Sequence, residues 1–204
     1  MSSVSRVNGF RPVKHINGAP YNGAANLYFL DSGNSDVVMV GDVVKLAGSA
    51  RDPSGAPTVA RHAGGATEAA VGVVTAILFS GVGDTSGVPP VTDLDVPIYR
   101  RASTNRYVLV ADDPTVVFEA QTSVALLAAD VGLNTEVDVT AGSTTTGASG
   151  MSIDMAAKAT TATLPLKIVG WPQRPDNNLS DAFTSAYVII NNHQYKGGTG
   201  TDGV

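Results

Sequence analysis

The sequence lacks several residue types on which enzymes and extracellular domains depend. Its 204 residues include no cysteine, three histidines and one tryptophan, and only 15% of them are charged. The absence of cysteine excludes disulfide bonds and thiolate–zinc sites. No run of about 18 consecutive apolar residues is present, so no transmembrane helix is expected. The N-terminal stretch MSSVSRVNGFRPVKH also has no apolar core of the kind that a secretory signal peptide needs.

Residues that favour turns and sheets are abundant instead. The chain contains 22 glycines and 11 prolines, and 43% of its residues are hydrophobic, which argues against disorder throughout. The length suggests one domain, or one domain with a smaller appendage. The net charge is −5 and the cations are scattered, which argues against binding to nucleic acid. We therefore expect a protein that presents surfaces to partners, with no enzymatic activity and no cofactor.

Short β-rich segments separated by turn signals fill residues 37–195. This spacing predicts an all-β body, a sandwich or barrel of short antiparallel strands. At most one short helix is expected, at 123–131, where alanine and leucine are frequent and Gly132 follows. The predicted strands include 37–46 (with a break at Gly41-Asp42), 98–101, 106–111, 116–121, 136–140, 164–169 and 187–191.

Three of these segments carry more specific expectations. Segments 98–101 and 106–111 flank Ala-Ser-Thr-Asn and are predicted to form a hairpin. Both faces of 106–111 are apolar, which is typical of a central strand. Pro165 within 164–169 indicates a position at the edge of a sheet, because proline cannot donate to the ladder.

The two ends of the chain are predicted to differ from the body. Residues 1–36 combine three Asn-Gly turns with two prolines and several aromatics, which favours an extended arm that docks on another subunit. The alternative is an irregular strand pair folded onto the chain's own body. Residues 196–204 are expected to form a flexible tail. The candidate contact residues of the arm are Phe10, Arg11, Tyr21, Tyr28 and Phe29.

The arm hypothesis leads to a prediction about truncation. Deletion of residues 1–30 is expected to leave a folded body that no longer attaches to its partner, because those residues supply the docking aromatics.

Residues that could carry chemistry are few and poorly spaced. The three histidines lie far apart without a metal-binding spacing, and the chain has only three glutamates. The adjacent carboxylates Asp112 and Asp113 precede a proline, where aspartate commonly caps a turn. A hydrolase would have to rely on these or on Asp93 and Asp95. The histidines are His15, His62 and His193, and the glutamates are Glu68, Glu119 and Glu136.

Six segments carry a family resemblance. They are GFRPVKHINGAPYNGAANLYFL at 9–30, GDVVKLAG at 41–48, AVGVVTAI at 70–77, YRRASTNRYVLVADDPTVVFEAQ at 99–121, KATTATLPLKIVGWPQRPDNN at 158–178 and VIINNHQ at 188–194. With these segments the chain resembles the small capsid decoration (cement) proteins of tailed bacteriophages. The resemblance is one of pattern over most of the chain, without a catalytic signature.

The resemblance implies a structural virion protein. Such a protein is made in the bacterial host cytoplasm, binds the outer surface of the assembled head and stabilises the lattice of the major capsid protein. It also implies a homo-oligomer, a dimer or a trimer, because decoration proteins often sit at local symmetry axes. Neither nucleic acid nor membrane is an expected partner. Two other hypotheses remain open: a virion or cell-surface β module that binds carbohydrate, and a hydrolase on a β scaffold.

Overall fold

The computed structural model describes residues 3–52, 54–78, 97–196 and 200–203. Within these residues the chain forms β-strands and one short 3-10 helix, Ala128–Asp130, which confirms the all-β prediction. The strands are β1 (Arg11–His15), β2 (Asn26–Leu30), β3 (Val43–Ala50), β4 (Pro57–Arg61), β5 (Gly72–Ile77), β6 (Arg106–Ala111), β7 (Val116–Gln121), β8 (Asn134–Asp138), β9 (Ser152–Ala159), β10 (Leu166–Gly170) and β11 (Ser185–Ile190).

Five strands close into a barrel in the order β2-β4-β3-β5-β6. β2 runs parallel to β4, and the other neighbouring strands pair antiparallel. Gly72 in β5 permits the close approach of β6, because a Cβ atom at this position would overlap the carbonyl oxygen of Ala111. The apolar cluster of these strands is rich in valine, which packs well on a pleated surface. Its buried members are Tyr28, Leu30, Val38, Val44, Val59, Val71, Val74, Val108 and Val110.

The remaining strands form an antiparallel sheet in the order β1-β7-β11-β10-β8-β9. On its buried face, Phe118, Val188 and Ile168 lie side by side on neighbouring strands. Each of the three is at most 1% exposed. The other face includes Glu119 paired with Tyr187. The alternation of buried and half-exposed residues along β11 follows from this one-sided packing.

The sheet and the barrel share one hydrophobic core. The cluster beneath the six-stranded sheet contains Phe118 and Ile168 from the sheet together with Val43, Val73 and Ala111 from the barrel strands. Because these side chains pack against each other, the barrel and the sheet stabilise one another through buried apolar area.

The N-terminal zone differs from the predicted free arm. β1 pairs with β7 in the sheet, and β2 lies between β4 and β6 in the barrel. Residues 11–30 are therefore part of the folded body, as in the strand-pair alternative. The physical reason is that the chain's own β6 and β7 offer unpaired edges and apolar surface, so the aromatics of this zone find burial without a partner.

The region around residue 100 forms a bridge and not the predicted hairpin strand. Arg100 pairs with Val38 in an isolated bridge and is completely buried. Its guanidinium donates to the carbonyl oxygens of Thr104 (2.8 Å), Asp31 (2.7 Å), Asn34 (2.8 Å) and Asp36. Arg100 therefore fixes two loops together. Segment 106–111 forms β6, between β2 and β5, as predicted for a central strand.

One further expectation is wrong, the edge position of the strand with Pro165. β10 pairs with both β8 and β11, so it is not an edge strand, and Pro165 precedes its first residue without interrupting the ladder. The described part of the tail is anchored, because the amide nitrogen of Thr201 donates to Asn191 Oδ1 (2.9 Å) and its carbonyl accepts from Asn134 Nδ2 (2.7 Å).

The expected helix over 123–131 is reduced to the short 3-10 helix at its C-terminal end. The predicted break at Gly41 is confirmed: Gly41 has φ +93° just before β3 begins. The loop at 80–97, with Asp93 and Asp95, falls almost wholly outside the described residues.

Candidate binding groove

A groove of about 420 Å³ lies on the six-stranded sheet beside residues 3–9. We call it the N-terminal groove. Its walls come from four places in the chain: the segment before β1, β7, the turn after β10, and the turn before β11. They are formed by Ser3, Val4, Arg6, Asn8, Gly9, Arg11, Glu119, Ala120, Gln121, Arg174, Asp176, Asn177, Phe183 and Ser185.

Gln121, the last residue of β7, holds two walls of the groove together. Its amide nitrogen donates to the carbonyl oxygens of Val4 (2.9 Å) and Phe183 (2.7 Å), and its amide oxygen accepts from the backbone N–H of Arg6 (2.8 Å). One buried side chain therefore makes three hydrogen bonds that fix the backbone positions of these two walls. The backbone N–H of Ser3 also donates to Asp181 (3.2 Å).

The three arginines of the groove are not equivalent. Arg174 donates to Glu119 (2.7 Å) and lies 3.6 Å from Asp176. The hydrogen bond to Glu119 raises the pKa of Arg174, which keeps this side chain fully charged. Arg6 and Arg11 are exposed, and neither guanidinium makes a hydrogen bond or ion pair with another described residue. Two cationic groups at the groove are thus free to bind a ligand.

Two exposed apolar residues, Val4 and Phe183, line the groove, and we call them the apolar rim. Val4 is 58% exposed and Phe183 is 37% exposed, and their carbonyl oxygens accept from the same Gln121 nitrogen. Phe183 has φ +64°, a left-handed conformation that costs a non-glycine residue about 1 kcal/mol or more. Thr184 fixes the turn, since its hydroxyl contacts the carbonyl oxygens of Asn178 (2.9 Å) and Asp181 (2.8 Å).

The structure separates the five predicted contact residues. Phe10, Tyr28 and Phe29 are each only 2% exposed and pack in the interior, so they are not available to a partner. Tyr21 is partly buried against the core, and its hydroxyl donates to the carbonyl oxygen of Ala24 (2.7 Å). Arg11 lines the groove and is exposed; its contact with a partner stays a prediction.

The adjacent carboxylates Asp112 and Asp113 make structural hydrogen bonds. Asp113 accepts from the N–H and the hydroxyl of Thr115, both at 2.8 Å, which confirms the predicted turn and lowers the pKa of Asp113. Asp112 accepts from Tyr28 (2.6 Å) and from Asn26 (2.9 and 3.0 Å). The Tyr28 hydroxyl is also 3.1 Å from that of Tyr195.

Two histidines that are distant in sequence both lie near Asp113 in this turn. His15 Nδ1 lies 3.5 Å from Asp113 and 3.0 Å from the Thr115 hydroxyl, and His193 Nδ1 accepts from the N–H of Tyr195 (3.1 Å). Burial lowers the pKa of His193. Among the described residues, no group of three or more histidines and carboxylates is arranged to hold a metal ion.

His62 lies elsewhere, in the barrel. Its Nδ1 accepts from the N–H of Gly64 (3.0 Å), so Nε2 carries the proton and donates to the carbonyl oxygen of Glu68 (3.0 Å). Burial lowers the pKa of His62, and the neutral ring fits both hydrogen bonds. The Glu68 carboxylate pairs with Lys45. These contacts stabilise the fold and leave no reactive pair exposed.

Comparisons of the chain with protein-family models, with curated proteins and with solved structures found no match. In the part of the chain that the structure describes, no helix is long and apolar enough to cross a membrane.

Proposed function

We propose that the protein is a structural binding protein that attaches to a repeated protein surface through the N-terminal groove. The observation that carries this proposal is the convergence of two unpaired arginines, Arg6 and Arg11, with the exposed apolar side chains of Val4 and Phe183. Charged groups at the rim of an apolar patch are typical of protein interfaces.

We further propose that this surface is the outside of a tailed-phage capsid. The family resemblance of the sequence supports the proposal, as does the assignment of Asp112 and Asp113 to structural hydrogen bonds, which argues against a hydrolase. A protein of net charge −5 is also poorly suited to contact packaged DNA. In this proposal the protein binds the major capsid protein and stabilises its lattice as a dimer or trimer.

Many weak contacts would suffice for such attachment. A capsid presents identical sites, so an oligomer that binds two or three of them gains avidity without any new contact. The groove of a single subunit then needs only modest affinity.

The experiment is rebinding to expanded phage heads depleted of the protein. We expect stoichiometric rebinding by the wild type, and at least about tenfold weaker binding by the double variant Arg6→Gln, Arg11→Gln, because both free cations are removed. Arg101→Gln is the matched control, since Arg101 is exposed in a different loop. Failure of the wild type to bind any head surface would exclude the capsid role.

A second candidate is carbohydrate binding at Tyr195. This residue is 50% exposed, and its hydroxyl lies beside the Tyr28–Asp112 hydrogen bond with the exposed Asn26 amide nearby. An aromatic ring with neighbouring carboxylate and amide groups can stack on a sugar and bind its hydroxyls. A glycan array would test this: hits that disappear in Tyr195→Ala support it, and an array without hits excludes it.

A further inference from the structure

The N-terminal groove also indicates the chemistry of its partner. We infer that the groove binds an acidic segment of a protein chain, in which an apolar side chain lies between two carboxylates. This inference rests on the proposed function, because it names the ligand of the same groove.

The residues of the groove carry more positive than negative charge. Three arginines and two acidic residues line it, and both acidic residues, Glu119 and Asp176, lie beside Arg174. The charges of Arg6 and Arg11 therefore remain uncompensated within the described residues. In a chain of net charge −5, this groove is a local site where an anionic partner is attracted and not repelled.

Carboxylates are the anions that the free arginines of this groove are suited to bind. Guanidinium groups bind carboxylates through two parallel hydrogen bonds, and this geometry gives specificity as well as energy. Arg174 binds a carboxylate inside the groove through a single hydrogen bond, from its guanidinium to Glu119 at 2.7 Å. Since the guanidinium of Arg11 makes no such contact, although Glu119 lies opposite it on β7, a carboxylate from outside can take this place.

Two exposed apolar residues are anchored at one point of the groove. The carbonyl oxygens of Val4 and Phe183 both accept from the Gln121 amide nitrogen, and the two residues are 58% and 37% exposed. Gln121 also binds the backbone of Arg6, so the apolar rim and one free cation are held by the same residue. A ligand that neutralises Arg6 and Arg11 is thereby brought over the rim, where burial of an apolar side chain adds affinity.

The turn that carries Phe183 supports a binding role. Ser180 and Phe183 both adopt a left-handed conformation, at φ +67° and +64°. In proteins, strained backbone conformations of this kind are concentrated at functional sites such as ligand-binding positions. Here the strained turn presents a phenyl ring to solvent at the rim of a groove of about 420 Å³, within the range of roughly 300–1,000 Å³ for ligand sites.

The experiment uses the full chain and fluorescence anisotropy with three labelled, end-blocked peptides. The central sequences are Asp-Leu-Asp, its amide counterpart Asn-Leu-Asn, and Asp-Gly-Asp without the apolar side chain. We expect Asp-Leu-Asp to bind at least about tenfold more tightly than Asn-Leu-Asn and about fivefold more tightly than Asp-Gly-Asp. Added salt should weaken the binding of both acidic peptides.

Variants locate the binding. The double variant Arg6→Gln, Arg11→Gln should lose the preference for Asp-Leu-Asp over Asn-Leu-Asn, and Phe183→Ser should lose the preference over Asp-Gly-Asp. Arg101→Gln should retain both. Equal binding of the acidic and amide peptides by the wild type, or an unchanged preference in the double variant, would overturn the inference.

The two proposals fail separately. Peptide binding without rebinding to phage heads would leave the acidic-ligand inference intact and exclude the capsid role. Rebinding to heads that does not change in the double variant would keep the capsid role and remove the groove from it.

Discussion

Gln121 ties Val4 to the six-stranded sheet: its side-chain nitrogen lies 2.9 Å from the Val4 carbonyl oxygen, across 117 positions of sequence. The same segment is also held by the N–H of Ser3, which donates to Asp181 (3.2 Å), and by the N–H of Phe10, which donates to the carbonyl oxygen of Gly41 (2.9 Å). Between these two points, the buried amide at the end of β7 holds the wall of the N-terminal groove at Val4 and Arg6.

Replacement of this amide should release the segment. In Gln121→Leu three hydrogen bonds to the backbone are lost, so we expect the free energy of unfolding to fall by about 2 kcal/mol. Hydrogen exchange at the Arg6 amide should accelerate more than exchange in β7, because the loss is local. Gln173→Leu, at an exposed position, is the control and should change neither quantity. Slow exchange at Arg6 in the Gln121 variant would contradict the assigned role.

Truncations distinguish the integrated N-terminal zone from a free arm. Deletion of residues 1–30 removes β1 and β2, and with β2 one strand of the barrel, so we now expect an unfolded or insoluble product. Deletion of residues 1–7 leaves both strands and should give a folded protein with an incomplete groove. Circular dichroism and thermal unfolding of the two products test this. A cooperatively folded product that lacks residues 1–30 would contradict this expectation and support the free-arm hypothesis.

Arg100 is expected to be critical for stability. Arg100→Met removes the guanidinium donor from four backbone carbonyl oxygens, of which those of Asp31 and Asn34 keep a backbone N–H donor. We expect the free energy of unfolding to fall by about 3 kcal/mol. Arg101→Met changes the neighbouring exposed arginine and should stay within about 0.5 kcal/mol of the wild type. Urea unfolding measures both. Similar losses in the two variants would show that burial of Arg100 is not the cause.

Stability should decline as the pH falls below about 6.5. Burial lowers the pKa of His62 and of His193 in the folded state, so the unfolded chain takes up protons first. The stability is complete above the unfolded pKa and is lost at up to about 1.4 kcal/mol per pH unit for each imidazole. Urea unfolding between about pH 7.5 and about pH 5.5 would show the slope.

One variant tests how much of this pH dependence comes from His193. His193→Asn keeps an acceptor for the Tyr195 N–H and should remove part of the pH dependence. The lowered pKa values of Glu68 and Asp113 act in the same direction but in the acidic range of carboxylates, outside this window. A flat profile in the wild type would contradict the neutral state of the two buried rings.

Local sequence patterns predicted where the strands with two apolar faces lie. They did not predict which other strands these pair with. Segments 106–111 and 116–121 coincide with β6 and β7, because β-branched residues and flanking turns define them locally. Pro165 misled because β10 pairs with β8, a contact between distant residues that alternation cannot show. The aromatics of the N-terminal zone were expected to seek a partner, and β6 and β7 supply that burial within the chain.

The groove was largely beyond prediction from sequence. Arg11 was named, but Arg6, Gln121, Arg174 and Phe183 come from four separate segments without a shared motif. Only the fold brings them together, and the strain at Phe183 depends on a backbone angle that its sequence context does not signal. Of the five residues that the sequence pattern named, Arg11 lines the groove, while Phe10, Tyr28 and Phe29 are buried.

The pairing of β1 with β7 and of β2 with β6 has a consequence for synthesis. Arg11 is in register with Glu119, about a hundred positions later in the sequence. The separation between β2 and its partner β6 is only somewhat shorter. At roughly 5–20 residues per second, the aromatic side chains of the first strands leave the ribosome some 5–20 seconds before the strands that will cover them. A chaperone that binds extended apolar segments would therefore have its target within the first thirty residues of the nascent chain.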